Sequence, residues 1–142
     1  MSKFKFRLQS VIKVKEIQEK RVERELAMIK KKILLEQARI DDRRAEQDKL
    51  VSESPLQGKV KAADIAVHQV YLKKISDEIH FQNAKIAVLS QSESKKIDEV
   101  LDVKKDKEAI EHLRERQLED YKRDMDKKEQ VLIDAVAQRL MS

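Results

Sequence analysis

The sequence predicts an all-α fold, in which two long helices form an antiparallel coiled-coil hairpin and the longer C-terminal helix overhangs its partner. Charged residues make up 42% of the 142 residues and aromatic residues only 4%, a composition typical of long exposed helices. The only proline, Pro55, and the only glycine, Gly58, fall in one short stretch, where they favour a chain reversal. Apolar residues recur at helical spacing on both sides of that stretch.

We expect a single helical hairpin over residues 1–142, with helices at about 6–51 and 62–140 and a turn at about 52–61. From Leu8 to Leu50 a 4-3 repeat has thirteen positions, of which eight are apolar. This spacing keeps one face of a helix turned toward a partner helix. The repeat is imperfect because polar residues interrupt it at Lys15, Glu19, Glu36, Arg43 and Gln47.

The second helix continues for longer than the first can cover. If the chain folds back at the turn, Leu8 lies opposite roughly residue 105, which leaves some 30 residues, or about 45 Å of helix, without a partner. An apolar stripe with nothing in cis to cover it indicates a protein partner or self-association. The apolar residues of this overhang are Leu118, Tyr121, Met125, Leu132, Ile133, Val136 and Leu140.

The sequence contains no recognisable catalytic, metal-binding or cofactor-binding motif. Without cysteine it has no disulfide and no thiolate metal site, and His68, His80 and His112 are too far apart along one helix to share a metal. No glycine-rich phosphate loop and no nucleophile beside a base is recognisable. No apolar run approaches the roughly 18 residues of a membrane span, and the N-terminus does not read as a signal peptide. We therefore expect a cytoplasmic protein that is not an enzyme, with no metal, no cofactor and no small-molecule substrate.

The basic N-terminus leaves two other functions open. Residues 1–15 carry five basic side chains and no acidic one. Phe4, Leu8, Val11 and Ile12 share one helical face, as in helices that lie on a membrane surface. The same charge would suit nucleic acid, although no nucleic-acid-binding motif accompanies it and we expect no nucleic-acid partner. A structural coiled coil that self-associates through its overhang is a further alternative.

A family resemblance favours a different function. The chain opens with the pattern Phe6-x-Leu8-x-x-Val11-Ile12-x-x-Lys15-x-x-x-Glu19. Later it contains Arg114-Glu115-Arg116-Gln117-Leu118, followed by a charged helix with Met125. These patterns, together with the turn near residue 55 and the longer second helix, resemble FliJ proteins, which are components of the bacterial flagellar type III export apparatus. The resemblance spans nearly the whole chain.

The resemblance implies a stalk-like adaptor rather than a catalyst. It implies that one end inserts into the hexameric ring of the flagellar export ATPase and activates it, and that the protein also binds the export-gate membrane protein and export chaperones. The protein would then be peripherally associated with the inner membrane at the flagellar base. The equivalent stalk of a virulence type III secretion system would have a similar sequence. The implied ring-binding residues are Phe4, Phe6, Leu8, Val11, Leu118, Tyr121, Met125, Leu132 and Val136, and the implied gate-binding residues are Tyr71, Ile75 and Gln82.

Overall fold

The computed structural model describes residues 3–53 and 61–141, and this part of the chain forms two helices, α1 (Gln9–Ser52) and α2 (Ala62–Met141). The described residues contain no strand. The two helices pack against each other, which confirms the predicted all-α helical hairpin. Pro55 and Gly58, on which the predicted reversal depends, lie outside the described residues.

The first helix begins later than the sequence pattern predicts. The amide of Gln9 donates to the carbonyl oxygen of Phe6 at 3.2 Å, which forms a turn. The first regular helical bond follows, from the amide of Ile12 to the carbonyl oxygen of Leu8 at 3.1 Å. Residues 3–6 therefore precede the helix, and the period-two alternation of Phe4 and Phe6 belongs to this non-helical segment.

The helix ends that flank the undescribed stretch have different stabilising groups. At the end of α1, the hydroxyl of Ser52 donates to the carbonyl oxygen of Lys49 at 2.9 Å. At the start of α2, the carbonyl oxygen of Lys61 accepts bonds from the amides of Asp64 and Ile65 at 3.0 and 3.3 Å. Lys61 is thus the N-cap residue, and it is not one of the residue types preferred there. Asp64 in the first turn supplies the negative charge that the helix dipole favours.

The helical residues divide into two compact units, each made of a segment of α1 and a segment of α2. The unit Val22–Glu99 contains a core of three isoleucines, Ile40, Ile75 and Ile79, which are 0%, 2% and 9% exposed. Leu50 and Ile86 pack against this core. Full burial of an isoleucine contributes about 1.5–3 kcal/mol, so each of these side chains stabilises the unit.

Several polar residues that interrupt the apolar repeat of α1 pair with α2. In the unit Val22–Glu99, the guanidinium of Arg43 lies 3.0 Å from a carboxylate oxygen of Glu78. In the other unit, which comprises the residues up to Arg21 and those from Val100 onward, Lys107 lies 2.8 Å from Glu19 and Lys15 lies 3.4 Å from Asp106. Such partly exposed pairs contribute only about 0–1 kcal/mol each, so their main effect is on the alignment of the two helices.

The alignment differs from the one expected from the sequence. We expected Leu8 to lie opposite about residue 105, but in the structure Lys15 already contacts Asp106. The expectation assumed a reversal at the centre of the predicted turn, whereas the contact of Lys15 with Asp106 shows the actual register in this unit. The N-terminal segment therefore reaches further along α2, and Phe4 contacts Tyr121.

Candidate partner-binding surface

The N-terminal segment covers part of the predicted overhang. The ring of Phe4 lies 5.5 Å from the ring of Tyr121, at an interplanar angle of 47°. Tilted aromatic pairs at this distance contribute about 0.5–1.5 kcal/mol beyond the area that they bury. Phe6 is only 8% exposed. A non-helical segment spans up to about 3.3–3.6 Å per residue, against 1.5 Å in a helix, which explains why it covers more of α2 than a helical N-terminus would.

The predicted ring-binding residues divide into three groups by exposure. One, Phe6, is buried, and two, Leu132 and Val136, are 66% and 55% exposed. The expectation that the entire overhang lacks cover in cis is therefore wrong for its first part, because the N-terminal segment packs there. The half-buried residues of the set are Phe4, Leu8, Val11, Leu118, Tyr121 and Met125.

Beyond Met125 every described residue of α2 is exposed, from 126 to 141. At 1.5 Å per residue this stretch is about 24 Å long. It carries an apolar face that continues the face of Leu118, Tyr121 and Met125, because the residues recur at helical spacing. We call this face the C-terminal stripe; its members are Leu132, Ile133, Val136 and Leu140, between 55% and 83% exposed.

Apolar residues at this end of α2 are not confined to one face. Val131, Leu132 and Ile133 are consecutive, and they are 67%, 66% and 59% exposed. Consecutive helical residues point about 100° apart, so the three together span about 200° of the helix circumference. A helix that is apolar on several sides is normally buried on several sides. A partner that contacts only the C-terminal stripe would leave Val131 in water.

The predicted gate-binding residues lie in the unit Val22–Glu99 but do not share one environment. Tyr71 is 41% exposed, and its hydroxyl donates to a carboxylate oxygen of Glu46 at 2.5 Å. Ile75 belongs to the isoleucine core and, at 2% exposed, has almost no surface to offer a partner. Gln82 is half-buried, and its amide oxygen has no hydrogen-bond partner among residues 3–53 and 61–141.

An ionic cluster surrounds Tyr71, and the sequence did not predict it. Arg43 donates to Glu46 at 3.0 Å and also to Glu78 at 3.0 Å. The hydrogen bond from Tyr71, followed by that from Arg43, lowers the pKa of Glu46 below its ordinary value. The same bond to Glu46 raises the pKa of Tyr71. The i, i+3 spacing of Arg43 and Glu46 was the available signal, but the contacts with Tyr71 and Glu78 depend on a register that the sequence did not reveal.

The described residues lack two further features. None of their helices combines the length and the apolar content needed to cross a membrane. They contain no group of three or more histidine, cysteine, aspartate or glutamate side chains arranged to hold a metal ion.

The helical hairpin with 4-3 apolar spacing defines the chain as a coiled-coil protein. A protein-family model described as "Flagellar FliJ protein" matches residues 4–142, essentially the whole chain. The chain therefore belongs to the FliJ family, whose members are non-enzymatic components of the flagellar export apparatus. No curated protein and no solved structure gives a significant match.

Proposed function

We propose that this protein is a stalk-like adaptor that binds and activates the hexameric ring of the flagellar export ATPase. The observation that carries the proposal is the end of α2, where residues 126–141 are all exposed and apolar side chains surround much of the helix. The axial pore of a ring contacts an inserted helix from several sides at once. Such a pore would cover Val131, Leu132 and Ile133 together, which a flat partner surface would not.

The energetics of the C-terminal stripe favour an enclosing partner. Full burial of one leucine, isoleucine or valine contributes about 1.5–3 kcal/mol, whereas association itself costs at least several kcal/mol. The four residues of the stripe would offset that cost only if most of their exposed area were covered. The N-terminal residues Phe4, Phe6, Leu8 and Val11 would act mainly by packing on α2 and supporting the base of this end.

We further propose that the unit Val22–Glu99 links the ring to the export gate and to export chaperones. Tyr71 offers an exposed aromatic ring for the gate protein, and Gln82 offers an amide oxygen that lacks a partner among the described residues. Ile75 would act through them by holding α2 in place. This assignment places the protein in the cytoplasm, peripherally associated with the inner membrane at the flagellar base.

The direct test measures binding and hexamer formation of the cognate flagellar export ATPase by light scattering while this protein is titrated in. We expect the protein to increase the hexamer fraction and the variant Leu132→Ser with Val136→Ser to bind roughly 100-fold more weakly, a loss of about 2.7 kcal/mol. The matched control is Met28→Ser with Leu34→Ser, two α1 residues that are 61% and 70% exposed. Unchanged hexamer formation with the wild-type protein would contradict the proposal.

The same titration with the ATPase of a virulence type III secretion system distinguishes the alternative system. If the protein promotes hexamer formation of the virulence ATPase and not of the flagellar one, the protein belongs to the virulence apparatus. Dimers of the adaptor that disappear in Leu132→Ser with Val136→Ser would instead assign the stripe to self-association.

A further inference from the structure

Helix α2 carries a second apolar repeat on the face opposite to α1. Its residues follow 4-3 spacing from 63 to 88, the spacing of a coiled-coil seam. All of them are exposed, and the four large ones, Val67, Val70, Phe81 and Val88, are between 62% and 69% exposed. We call this face the outer seam; its apolar members are Ala63, Val67, Val70, Phe81, Ala84 and Val88.

The outer seam is distinct from the seam that contacts α1. The inner seam runs through Leu72, Ile75 and Ile79, of which Ile75 and Ile79 are core residues. At about 100° per residue the two sets of positions point in nearly opposite directions. Shallow grooves lie along the outer seam on both sides of Phe81, one toward Val70 and the other toward Val88. This stretch of α2 therefore has two coiled-coil faces, and only one of them is occupied in the described residues.

The centre of the outer seam contains two opposite charges. Lys74 and Asp77 occupy consecutive seam positions, and both are exposed. A lysine or aspartate at a core position of a coiled coil costs stability unless the partner supplies the complementary group, and such residues specify register. The partner should therefore be a helix that places an acidic residue against Lys74 and a basic residue against Asp77.

We propose that the outer seam pairs with the outer seam of a second copy of this chain, running antiparallel. One register satisfies every position. It sets Lys74 of each copy against Asp77 of the other, and on both sides of this centre it sets apolar residues against apolar residues. The opposing pairs are Val70 with Phe81, Val67 with Ala84, and Ala63 with Val88.

One pair of flanking positions supports the same register. Asp64 of one copy lies beside Lys85 of the other, so the edge of the seam gains an ion pair at each end. The equivalent stripe of α1 in the same unit does not have this property. There, Arg24 and Lys31 alternate with Met28 and Leu35, and antiparallel pairing would set each cation against an apolar side chain. Self-complementarity is therefore a property of the outer seam and not of every exposed apolar stripe.

Charge exchange tests the proposal without substituting a residue of the inner seam. We expect sedimentation equilibrium of the full chain, up to about 200 µM, to show a monomer–dimer equilibrium. Lys74→Asp and Asp77→Lys should each raise the dimer dissociation constant about tenfold or more, because each sets like charges against one another twice. The double variant, Lys74→Asp with Asp77→Lys, should restore dimerisation because the exchanged charges are again complementary.

The chain supplies a matched control on the same helix. Lys95 and Asp98 have the same residue types, the same i, i+3 spacing and the same place in the 4-3 repeat, but they lie beyond the paired stretch. Lys95→Asp and Asp98→Lys should leave the dimer unchanged. Circular dichroism of all variants should match the wild type, since every substituted side chain is exposed. A monomer at every concentration, a dimer insensitive to Lys74→Asp, or a double variant without rescue would each overturn the proposal.

Engineered cysteines test the register, and the chain has none of its own to interfere. Under oxidation, a mixture of Val70→Cys and Phe81→Cys chains should give a crosslinked heterodimer. Val70→Cys alone should not crosslink, because its two copies would be about 16 Å apart along the axis, beyond the roughly 7 Å between Cα atoms that a disulfide allows. Efficient crosslinking of Val70→Cys alone would contradict the antiparallel register.

Discussion

The C-terminal stripe and the outer seam are both uncovered apolar faces of α2, but they differ in the charges that accompany them. At the C-terminal stripe, apolar side chains extend over about 200° of the helix circumference, as the exposed run Val131, Leu132 and Ile133 shows. The outer seam is apolar on one face only and has Lys74 and Asp77 at its centre. The first pattern suits a partner that encloses the helix, and the second suits a partner with complementary charges in register. The exposed fractions of their side chains alone would not distinguish these two surfaces.

The largest effect on stability is expected where α1 and α2 bury a shared core. Ile40→Ala should lower the free energy of unfolding by about 2–4 kcal/mol, because it removes a fully buried side chain from a small core. Leu132→Ala, on the C-terminal stripe, should change it by less than about 0.5 kcal/mol, because nothing in cis covers that residue. Urea unfolding followed by circular dichroism measures both. A similar loss for the two variants would mean that the stripe is covered within the chain.

The boundary between covered and uncovered helix can be located by a smaller effect. Phe4→Ala and Tyr121→Ala remove the two partners of the aromatic contact. A double-mutant cycle on the free energy of unfolding should give a coupling energy of about 0.5–1.5 kcal/mol. A coupling energy near zero would indicate that the N-terminal segment does not pack on α2 in solution, and the uncovered stripe would then begin at Leu118.

The smallest expected effect concerns the ionic cluster around Tyr71. Because the hydrogen bond from Tyr71 is the main cause of the lowered pKa of Glu46, Tyr71→Phe should raise that pKa toward its ordinary value of 4.5. A lowered pKa means that the contribution of Glu46 to stability is present above about pH 4.5 and is lost as the pH falls through the folded-state value. Carboxyl NMR titration of the wild type and of Tyr71→Phe measures the shift. An unchanged pKa would mean that the contact with Tyr71 is absent in solution.

The fold followed from the sequence because long helices have strong local signals. The 4-3 apolar repeat and the high charge content identified two helices that pack along one seam, and the structure confirms this fold. The register did not follow, because it depends on pairs such as Lys15 with Asp106 and Arg43 with Glu78, which lie far apart in sequence. From the sequence, Leu118, Tyr121 and Met125 were therefore expected to be uncovered. In the structure these three are half-buried, and Leu132, Val136 and their neighbours are exposed.

The candidate surfaces show the same limit. The 4-3 spacing of Val67, Val70, Phe81 and Val88 is visible in the sequence, but the repeat of larger side chains through Leu72, Ile75 and Ile79 is stronger and was the one expected to form the seam. The burial of Ile75 and Ile79 shows that the other face is free of α1. The cluster of Arg43, Glu46 and Tyr71 did not follow from the sequence, because the sequence does not show which residues of α2 lie beside Glu46.

The most direct test of the central claim compares the two stripes in one assay. The rate of ATP hydrolysis by the cognate flagellar export ATPase is measured while wild-type protein, Leu132→Ser with Val136→Ser, or Lys74→Asp is titrated in. The account predicts that the wild type and Lys74→Asp raise the rate equally and that the C-terminal variant raises it only at concentrations roughly 100-fold higher, a shift of about 2.7 kcal/mol. Equal stimulation by the C-terminal variant and the wild type would contradict the assignment of the C-terminal stripe to the ring.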